Sequence, residues 1–193
     1  MKKLAVFVSG SGSDLQSIID SATSGQLPAE IAVVVASKDG IFALERARKH
    51  GIPSVVYCKN DFNSAEEMYD ALTDELVSRG IDFIVLAGYL TILTPNIVRA
   101  FERRIINIHP SLIPKYCGDG FYGMRVHEAV IKNGEKESGA TVHFVDEGTD
   151  TGEIIMQESV PVLETDTAET LQKRVLTLEH SLLPRAIKKI ITT

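Results

Sequence analysis

Apolar and polar positions along the chain follow two periods in turn, which predicts strands separated by helices. Runs that are almost wholly apolar, such as KLAVFVS at 3–9 and IAVVVAS at 31–37, have the length of buried strands. The intervening segment 13–25 repeats its apolar residues at helical spacing and stops at a glycine. The same reasoning predicts strands at 53–58, 81–88, 104–109, 139–147 and 153–162, and helices at 41–51, 64–80, 126–134 and 167–193.

This alternation predicts the fold class. Strands that are apolar on both faces and separated by helices indicate a parallel sheet covered on both sides. The segments 139–147 and 153–162 alternate more strictly, as an antiparallel pair does. We therefore expect a single α/β domain over residues 1–193. It should contain a doubly wound, mostly parallel sheet with helices on both faces and an antiparallel strand pair near the C-terminal edge.

Composition and charge count against several classes of protein. The 193 residues are 44% hydrophobic and 24% charged, which is ordinary for a globular chain. A formal net charge of −6 without a long basic run counts against a nucleic-acid partner. The sequence has no apolar stretch long enough to span a bilayer, and its two cysteines indicate no disulfide framework. We therefore expect a cytoplasmic protein without a membrane or nucleic-acid partner.

A glycine-rich turn links the first predicted strand to the first predicted helix. In SGSGSDLQ at 9–16, backbone N–H groups and the positive end of the helix dipole can hold an anion. A dinucleotide fingerprint would need a glycine where Leu15 stands, and a Walker loop would need a Gly-Lys-Ser/Thr run that the segment lacks. A small monophosphate therefore fits best. The alternative is a tight turn in which Ser13 or Asp14 caps the helix, and the segment alone does not choose.

The stretch RIINIHP at 104–110 ends a predicted strand with two polar side chains. Asn107 and His109 are two residues apart, so they should project from one face at the carboxyl end of the strand, where open α/β sheets bind ligands. A carboxamide N–H can donate to an oxyanion, and histidine is the usual general acid or base near neutral pH. A histidine that only bonds a turn is the alternative, and the paired asparagine favours the functional interpretation.

The chain offers several candidates for a carboxylate that orients His109. Asp146, Glu147 and Asp150 share an acidic turn between two predicted strands, and the residue types alone do not choose among them. A metal site is not expected, because the five histidines and two cysteines show no pair at ligand spacing.

A long apolar segment, DFIVLAGYLTILTP at 82–95, continues past the end of a predicted strand. Residues 83–86 suit the core, whereas residues 89–93 could line a slot for a flat ring system.

Together these segments resemble the phosphoribosylglycinamide formyltransferases, which are folate-dependent enzymes of purine synthesis. The resemblance covers essentially the whole chain and is carried by VSGSGSDLQ, LAGYLTIL, INIHPSLIPKY, GATVHFVDEGTDTGEII and RVLTLEH. It implies transfer of the formyl group of 10-formyltetrahydrofolate, as a co-substrate, to the glycyl amine of glycinamide ribonucleotide. It implies no metal.

The resemblance also implies the roles of individual residues. It assigns catalysis to Asn107, His109 and Asp150, and so selects Asp150 over Asp146. It assigns the ribonucleotide phosphate to Gly12, Ser13 and Asp14, and recognition of the ribose to Leu176, Thr177, Leu178 and Glu179. It assigns the folate to Leu90, Thr91, Ile92, Leu93, Asn107, Asp146, Glu147, Gly148, Thr149 and Asp150.

Four residues depart from the family pattern, and they bear on folate affinity more than on chemistry. Asp14 stands where asparagine is usual, and Thr149 stands where an aliphatic residue is usual. Thr91 and Ala65 stand where many relatives carry arginine. The glycine-rich segment 115–123 also differs from the shorter loop of many relatives, and we expect it to be mobile.

Three other functions are alternatives to the one that this resemblance implies. A methionyl-tRNA formyltransferase should carry an extra C-terminal domain and a basic surface, and a formyltetrahydrofolate hydrolase should carry an extra N-terminal domain. We expect neither domain here. A silent folate- or nucleotide-binding module should have lost Asn107, His109 or Asp150, and all three are present. We therefore expect small-molecule substrates as partners, and either a monomer or a homodimer.

Overall fold

The computed structural model describes residues 1–192 and contains a seven-stranded sheet with helices on both faces. Its strands are β1 (Lys2–Val8), β2 (Ala29–Ala36), β3 (Ser54–Val56), β4 (Phe83–Leu86), β5 (Ile105–His109), β6 (Glu137–Phe144) and β7 (Ile154–Pro161). Its helices are α1 (Ser13–Thr23), α2 (Phe42–Lys49), α3 (Ala65–Ser78), α4 (Pro95–Ala100), α5 (Met124–Lys132) and α6 (Ala168–Ile191). Thr193, which the predicted helix and domain include, lies outside the described residues.

The strand order in the sheet is β3-β2-β1-β4-β5-β6-β7. Strands β1 to β5 are parallel, β6 is antiparallel to β5, and β7 is antiparallel to β6. The predicted mostly parallel sheet with an antiparallel pair at its C-terminal edge is therefore confirmed. Strand β2 lies on one side of β1 in the sheet, and β4 lies on the other side. The carboxyl ends of β1 and β4 consequently flank the switch point at which open α/β sheets bind ligands.

Alternate residues of the central strands supply the two layers of the core. In β1, Leu4, Val6 and Val8 are fully buried in a cluster with residues of α1, α2, α5 and α6. Ala5 and Phe7 point the other way, into a cluster with residues of α3 and α4. Because both faces are covered, the strand is apolar throughout its length, as the sequence pattern predicted.

Helix α4 and strand β3 are among the elements that differ from the sequence-based expectation. Helix α4 was not predicted, although Pro95 stands in its first turn, where proline is favoured. Its 6 residues are too few to show a helical period. Strand β3 is 3 residues long, shorter than the predicted 53–58, because its pairing with β2 stops at Val56.

Helix α6 begins with a capping box in which the Thr167 and Thr170 hydroxyls each accept from the other residue's backbone N–H. It continues through Pro184 to Ile191 and packs against α1, α5, β6 and β7. This packing presents the middle of α6 to the first turn of α1.

Candidate active site

Strand β5 projects Asn107 and His109 from one face of the sheet. Ile106 and Ile108 lie in the core cluster on the opposite face, and Ile105 lies in the cluster on the Asn107 side. His109 is buried and Asn107 is half-buried. The alternation that the sequence predicts for this strand is therefore present, and the two polar side chains lie among its last three residues.

The carboxylate of Asp150 joins the polar side chains at this strand end. Its Oδ2 atom lies 3.5 Å from Nδ1 of His109. Its Oδ1 atom accepts from Nδ2 of Asn107 at 3.3 Å and lies 3.4 Å from Nε2 of His143. Asp150 has a φ of 57°, a left-handed conformation that is costly for a residue other than glycine. The turn that imposes this conformation also directs the carboxylate inward.

Asp146, the other aspartate of the turn, has a different position. Its Oδ1 accepts from the Gly148 backbone at 3.0 Å and from the Thr151 hydroxyl at 2.6 Å. The side chain is exposed and holds the shape of the turn. Glu147 pairs with Arg99 of α4 at 2.7 Å. Of the three acids left open by the sequence, the structure brings Asp150 to His109.

Hydrogen bonding keeps Asp150 ionised in spite of its burial. Burial disfavours the charged form, but the hydrogen bond with His143, the charge of His109 and the Gly118 N–H outweigh it, and the pKa of Asp150 lies below its ordinary value. The Gly118 N–H donates to Oδ2 at 3.0 Å. The site therefore holds a fixed negative charge beside two imidazoles.

His143 is a site residue that the sequence reasoning missed. In the antiparallel register of β5 and β6 it lies directly opposite Asn107, and its Nε2 is 3.3 Å from the Asn107 amide nitrogen. Its Nδ1 faces the Phe144 carbonyl at 2.8 Å, which suits an Nδ1–H donor. The only signal in the sequence was a histidine inside an alternating strand, and the register of β6 was needed to interpret it.

The glycine-rich segment 115–123 covers one side of this cluster. The Tyr116 carbonyl lies 2.8 Å from Nε2 of His109. Glu135, which lies outside this segment, holds Tyr116 in place by accepting from its hydroxyl at 2.9 Å. The hydroxyl of Thr149 donates to Asp119 at 3.2 Å, which links the segment to the acidic turn. Both nitrogens of His109 therefore face acceptors, one of them from a loop.

The turn after β1 has the geometry of an anion site. Gly12 is the N-cap residue of α1, with a φ of 72°, and no side-chain cap hydrogen bond forms there within residues 1–192. The alternative of a Ser13 or Asp14 cap is therefore wrong. A methyl group on Gly12 would lie 2.7 Å from Cβ of Ala43, so this position requires glycine. With the cap left unfilled, the N–H groups of the first turn are free for a ligand.

Glu179 lies at this turn, but the rest of its segment does not face the same way. Asp14 and Glu179 are both buried, and Asp14 raises the pKa of Glu179 after burial itself, the larger cause. Thr177 is exposed, and its hydroxyl donates to the Lys173 carbonyl. Two residues along a helix turn by about 200°, so Thr177 and Glu179 lie on opposite sides. Leu176 and Leu178 are half-buried, and Leu178 packs against the core.

The loop after β4 exposes apolar side chains beside the switch point. Leu90 is 67% exposed and Ile92 is 75% exposed, which leaves apolar surface available to a ring system. Thr91 and Leu93 are half-buried. The Leu90 N–H donates to the Ser9 hydroxyl at 3.0 Å, so this loop is tied to the end of β1.

Residues 1–192 contain no group of three or more His, Cys, Asp or Glu side chains that could hold a metal ion. None of the helices described is both long and apolar enough to cross a membrane.

Comparison with known proteins identifies the class. The profile of the formyl transferase family matches residues 2–187, and the chain belongs to this family. A phosphoribosylglycinamide formyltransferase of Haemophilus influenzae is 43% identical over 97% of this chain and 86% of that protein. A chloroplastic phosphoribosylglycinamide formyltransferase of Vigna unguiculata is 46% identical over 98% of this chain, which spans only 61% of that relative. The crystal structure of the phosphoribosylglycinamide formyltransferase from Bacillus halodurans aligns with a TM-score of 0.93 at 40% identity, covering 100% of this chain and 96% of that one.

Proposed function

We propose that the chain transfers the formyl group of 10-formyltetrahydrofolate to the glycyl amine of glycinamide ribonucleotide, a step of purine biosynthesis. The observation that carries the proposal is the Asp150 carboxylate, which lies 3.3 to 3.5 Å from polar atoms of Asn107, His143 and His109. Family membership and the names of the relatives support the same activity.

The chemistry requires a proton carrier and a donor to an oxyanion. A C–N bond forms between the glycyl nitrogen and the formyl carbon, and the bond from that carbon to the folate nitrogen breaks. One proton leaves the attacking amine, and one reaches the leaving nitrogen. His109 would move these protons at Nε2, while Asp150 orients the ring from the Nδ1 side. Asn107 would donate to the oxygen that gains charge as the carbonyl is attacked.

The proposed substrate sites lie on the two sides of this cluster. The phosphate of the ribonucleotide would bind the N–H groups of Gly12, Ser13 and Asp14, with Glu179 near the ribose. The folate ring would bind the exposed apolar loop that contains Leu90 and Ile92, facing the turn from Asp146 to Asp150. The reacting groups would then meet over Asn107 and His109.

For Nε2 of His109 to reach a substrate, the Tyr116 carbonyl must give up its present contact at 2.8 Å. The segment 115–123 would therefore move during the catalytic cycle, and its return would exclude water from the site.

A single assay separates the candidate activities. Purified protein is mixed with 10-formyltetrahydrofolate, and loss of the formyl group is followed with and without glycinamide ribonucleotide. We expect deformylation that depends on the ribonucleotide and yields its formylated product. Deformylation without an acceptor would indicate a hydrolase, and deformylation only with methionyl-tRNA would indicate the tRNA enzyme. Binding of either ligand without turnover would indicate a silent binding module.

A further inference from the structure

Two buried carboxyl groups lie beside the turn proposed to hold the substrate phosphate. Asp14 is the second residue of α1, so its backbone N–H belongs to the proposed anion site. Glu179 lies on the face of α6 that packs against α1. Each residue is 8% exposed. Two acidic side chains thus line a site proposed to bind an anion, although an ionised acid would repel that anion.

Little in the surroundings neutralises these acids. Within residues 1–192, the Oδ1 atom of Asp14 is buried and has no hydrogen-bond partner. Nε2 of His180 on α6 lies 3.8 Å from it, but burial and then the charge of Arg46 lower the pKa of His180, so the ring is neutral at pH 7. The Arg46 guanidinium on α2 donates to the Ser11 carbonyl at 2.8 Å and is committed to the turn. His180 therefore faces Asp14, and the charge of Arg46 acts on His180.

The two acids therefore keep their protons to a higher pH than exposed carboxyl groups do. Burial raises the pKa of Asp14 to about 6. Burial and the neighbouring Asp14 raise the pKa of Glu179 well above its ordinary value. Since the groups interact, the last protons belong to the pair and not to either residue alone. The wall of the site therefore carries less negative charge near neutral pH than two exposed carboxyl groups would.

We propose that Asp14 and Glu179 form a proton-holding pair that takes up a proton when the ribonucleotide binds, so that affinity for the substrate falls as the pH rises. The inference rests on the proposed function, which puts the substrate phosphate at this turn. A phosphate monoester carries about −1.5 to −2 charges at pH 7 and would repel an ionised carboxylate beside it. Protonation of the pair removes that repulsion, and by linkage the affinity must depend on pH.

The effect is specific to the acid at position 14. In the family that the chain resembles, asparagine is usual at this position, and its side chain cannot ionise. Asp14→Asn therefore keeps the shape of the side chain and removes the titration, whereas the wild-type residue makes the site sensitive to pH. Asp20 of the same helix is exposed and accepts from the Gln16 amide at 2.8 Å, so Asp20→Asn is the matched control.

The test is calorimetric binding of glycinamide ribonucleotide without folate, between pH 5.5 and pH 8, to the wild type, Asp14→Asn and Asp20→Asn. The ionisation of the substrate phosphate is common to all three proteins and cancels in the ratio of dissociation constants. We expect the wild-type constant to rise on the order of tenfold more than that of Asp14→Asn, since one unit of pKa change on binding is a tenfold change in affinity. Asp20→Asn should follow the wild type.

The same titrations at pH 7, in buffers of different ionisation enthalpy, measure proton uptake directly. The wild type should take up a fraction of a proton on binding, and Asp14→Asn should not. If Asp14→Asn does not fold, Glu179→Gln removes the other half of the pair, and its dissociation constant should depend less on pH than that of the wild type.

Parallel curves for the wild type and Asp14→Asn would overturn the proposal, as would an Asp20→Asn curve that flattens equally. Failure of the proposed function is a separate result. In that case the wild type neither binds nor formylates the ribonucleotide at any pH, and both proposals are overturned together.

Discussion

Asp14 and Asp150 are equally buried, yet their pKa values move in opposite directions. The side chain of Asp150 is 10% exposed and that of Asp14 is 11% exposed. The pKa of Asp150 lies below its ordinary value because the hydrogen bond with His143, the charge of His109 and the Gly118 N–H outweigh its burial. Burial raises the pKa of Asp14 to about 6.

The difference shows that hydrogen-bond donors can outweigh burial in setting the charge of an acid. Desolvation opposes ionisation of both carboxyls. Only Asp150 has N–H donors aimed at both oxygens, from Asn107 and Gly118. Asp150 therefore gives one end of the site a fixed negative charge, whereas protonation can remove the charge of Asp14 at the other end. The predictions below test the two halves of this comparison.

The largest effect is expected from Asp150→Asn, which keeps the size of the side chain and removes its charge. We expect kcat to fall on the order of 10²–10⁴-fold, as for other general acid–base groups, with little change in either KM. Steady-state kinetics with both substrates measures this. Asp146→Asn is the matched control, because Asp146 bonds only within its own turn, to Gly148 and Thr151. A nearly normal Asp150→Asn beside an inactive Asp146→Asn would contradict the assignment.

Residues that act as a unit lose activity non-additively, and this sharpens the first test. The double variant Asp150→Asn, His109→Ala should be little worse than the worse single variant. Losses that multiply would mean that the two residues act independently, in spite of the 3.5 Å between their side chains.

The next effect concerns stability and tests the other acid. The pKa of folded Asp14 is about 6 against an ordinary value of 3.8, so the folded chain keeps a proton that the unfolded chain has released. Its contribution to stability is complete below the unfolded pKa and is lost as the pH rises to about 6. Asp14→Asn should therefore be more stable than the wild type by about 3 kcal/mol at pH 8 and by less than about 1 kcal/mol at pH 4.

Urea unfolding at the two pH values measures this difference. Asp20→Asn, which changes the same charge on an exposed part of α1, should differ little from the wild type at either pH. A stabilisation by Asp14→Asn that is equal at pH 4 and pH 8 would show that the titration of Asp14 is not its cause.

A smaller effect is expected from Gly12→Ala at the proposed phosphate turn. Alanine at a φ of 72° costs about 1–2 kcal/mol, and its methyl group would lie 2.7 Å from Cβ of Ala43. We expect the ribonucleotide KM to rise on the order of tenfold, with a much smaller change in the folate KM. Gly25→Ala is the control, since Gly25 has a φ of 76° and no atom of residues 1–192 within 4 Å of the added carbon. Equal changes in both KM values would contradict the assignment of the phosphate.

The sequence predicted the sheet better than it predicted the site. Apolar runs and glycine stops are local signals, and they located β1, β2, α1 and α3 to within a few residues. The pairing of Asn107 with His109 also followed from local spacing. His143 could not be found in this way, because its approach to Asn107 depends on the register between β5 and β6.

The opposite pKa shifts of Asp14 and Asp150 were also beyond the sequence. Both are aspartates in polar turns, and residue type alone gives them the same pKa. Their difference depends on the Gly118 N–H, which comes from a loop distant in the chain, and on the packing of α6 over α1. The resemblance to a family supplied the choice of Asp150 over Asp146, which spacing had left open.

The smallest effect is expected in the segment 115–123, which contributes the Gly118 donor to Asp150 and the Tyr116 carbonyl to His109. If this segment closes over bound folate, a folate analogue should slow amide hydrogen exchange there, because closure orders backbone that opens in the free protein. Mass spectrometry of peptides from 115–123 measures this, with α3 (Ala65–Ser78) as an internal reference that should not change. In Asp150→Asn, the charged acceptor for the Gly118 N–H is gone, and we expect faster exchange of this segment in the free protein. Exchange that neither the analogue nor the substitution alters would mean that the segment is rigid, and that the low pKa of Asp150 owes nothing to its closure.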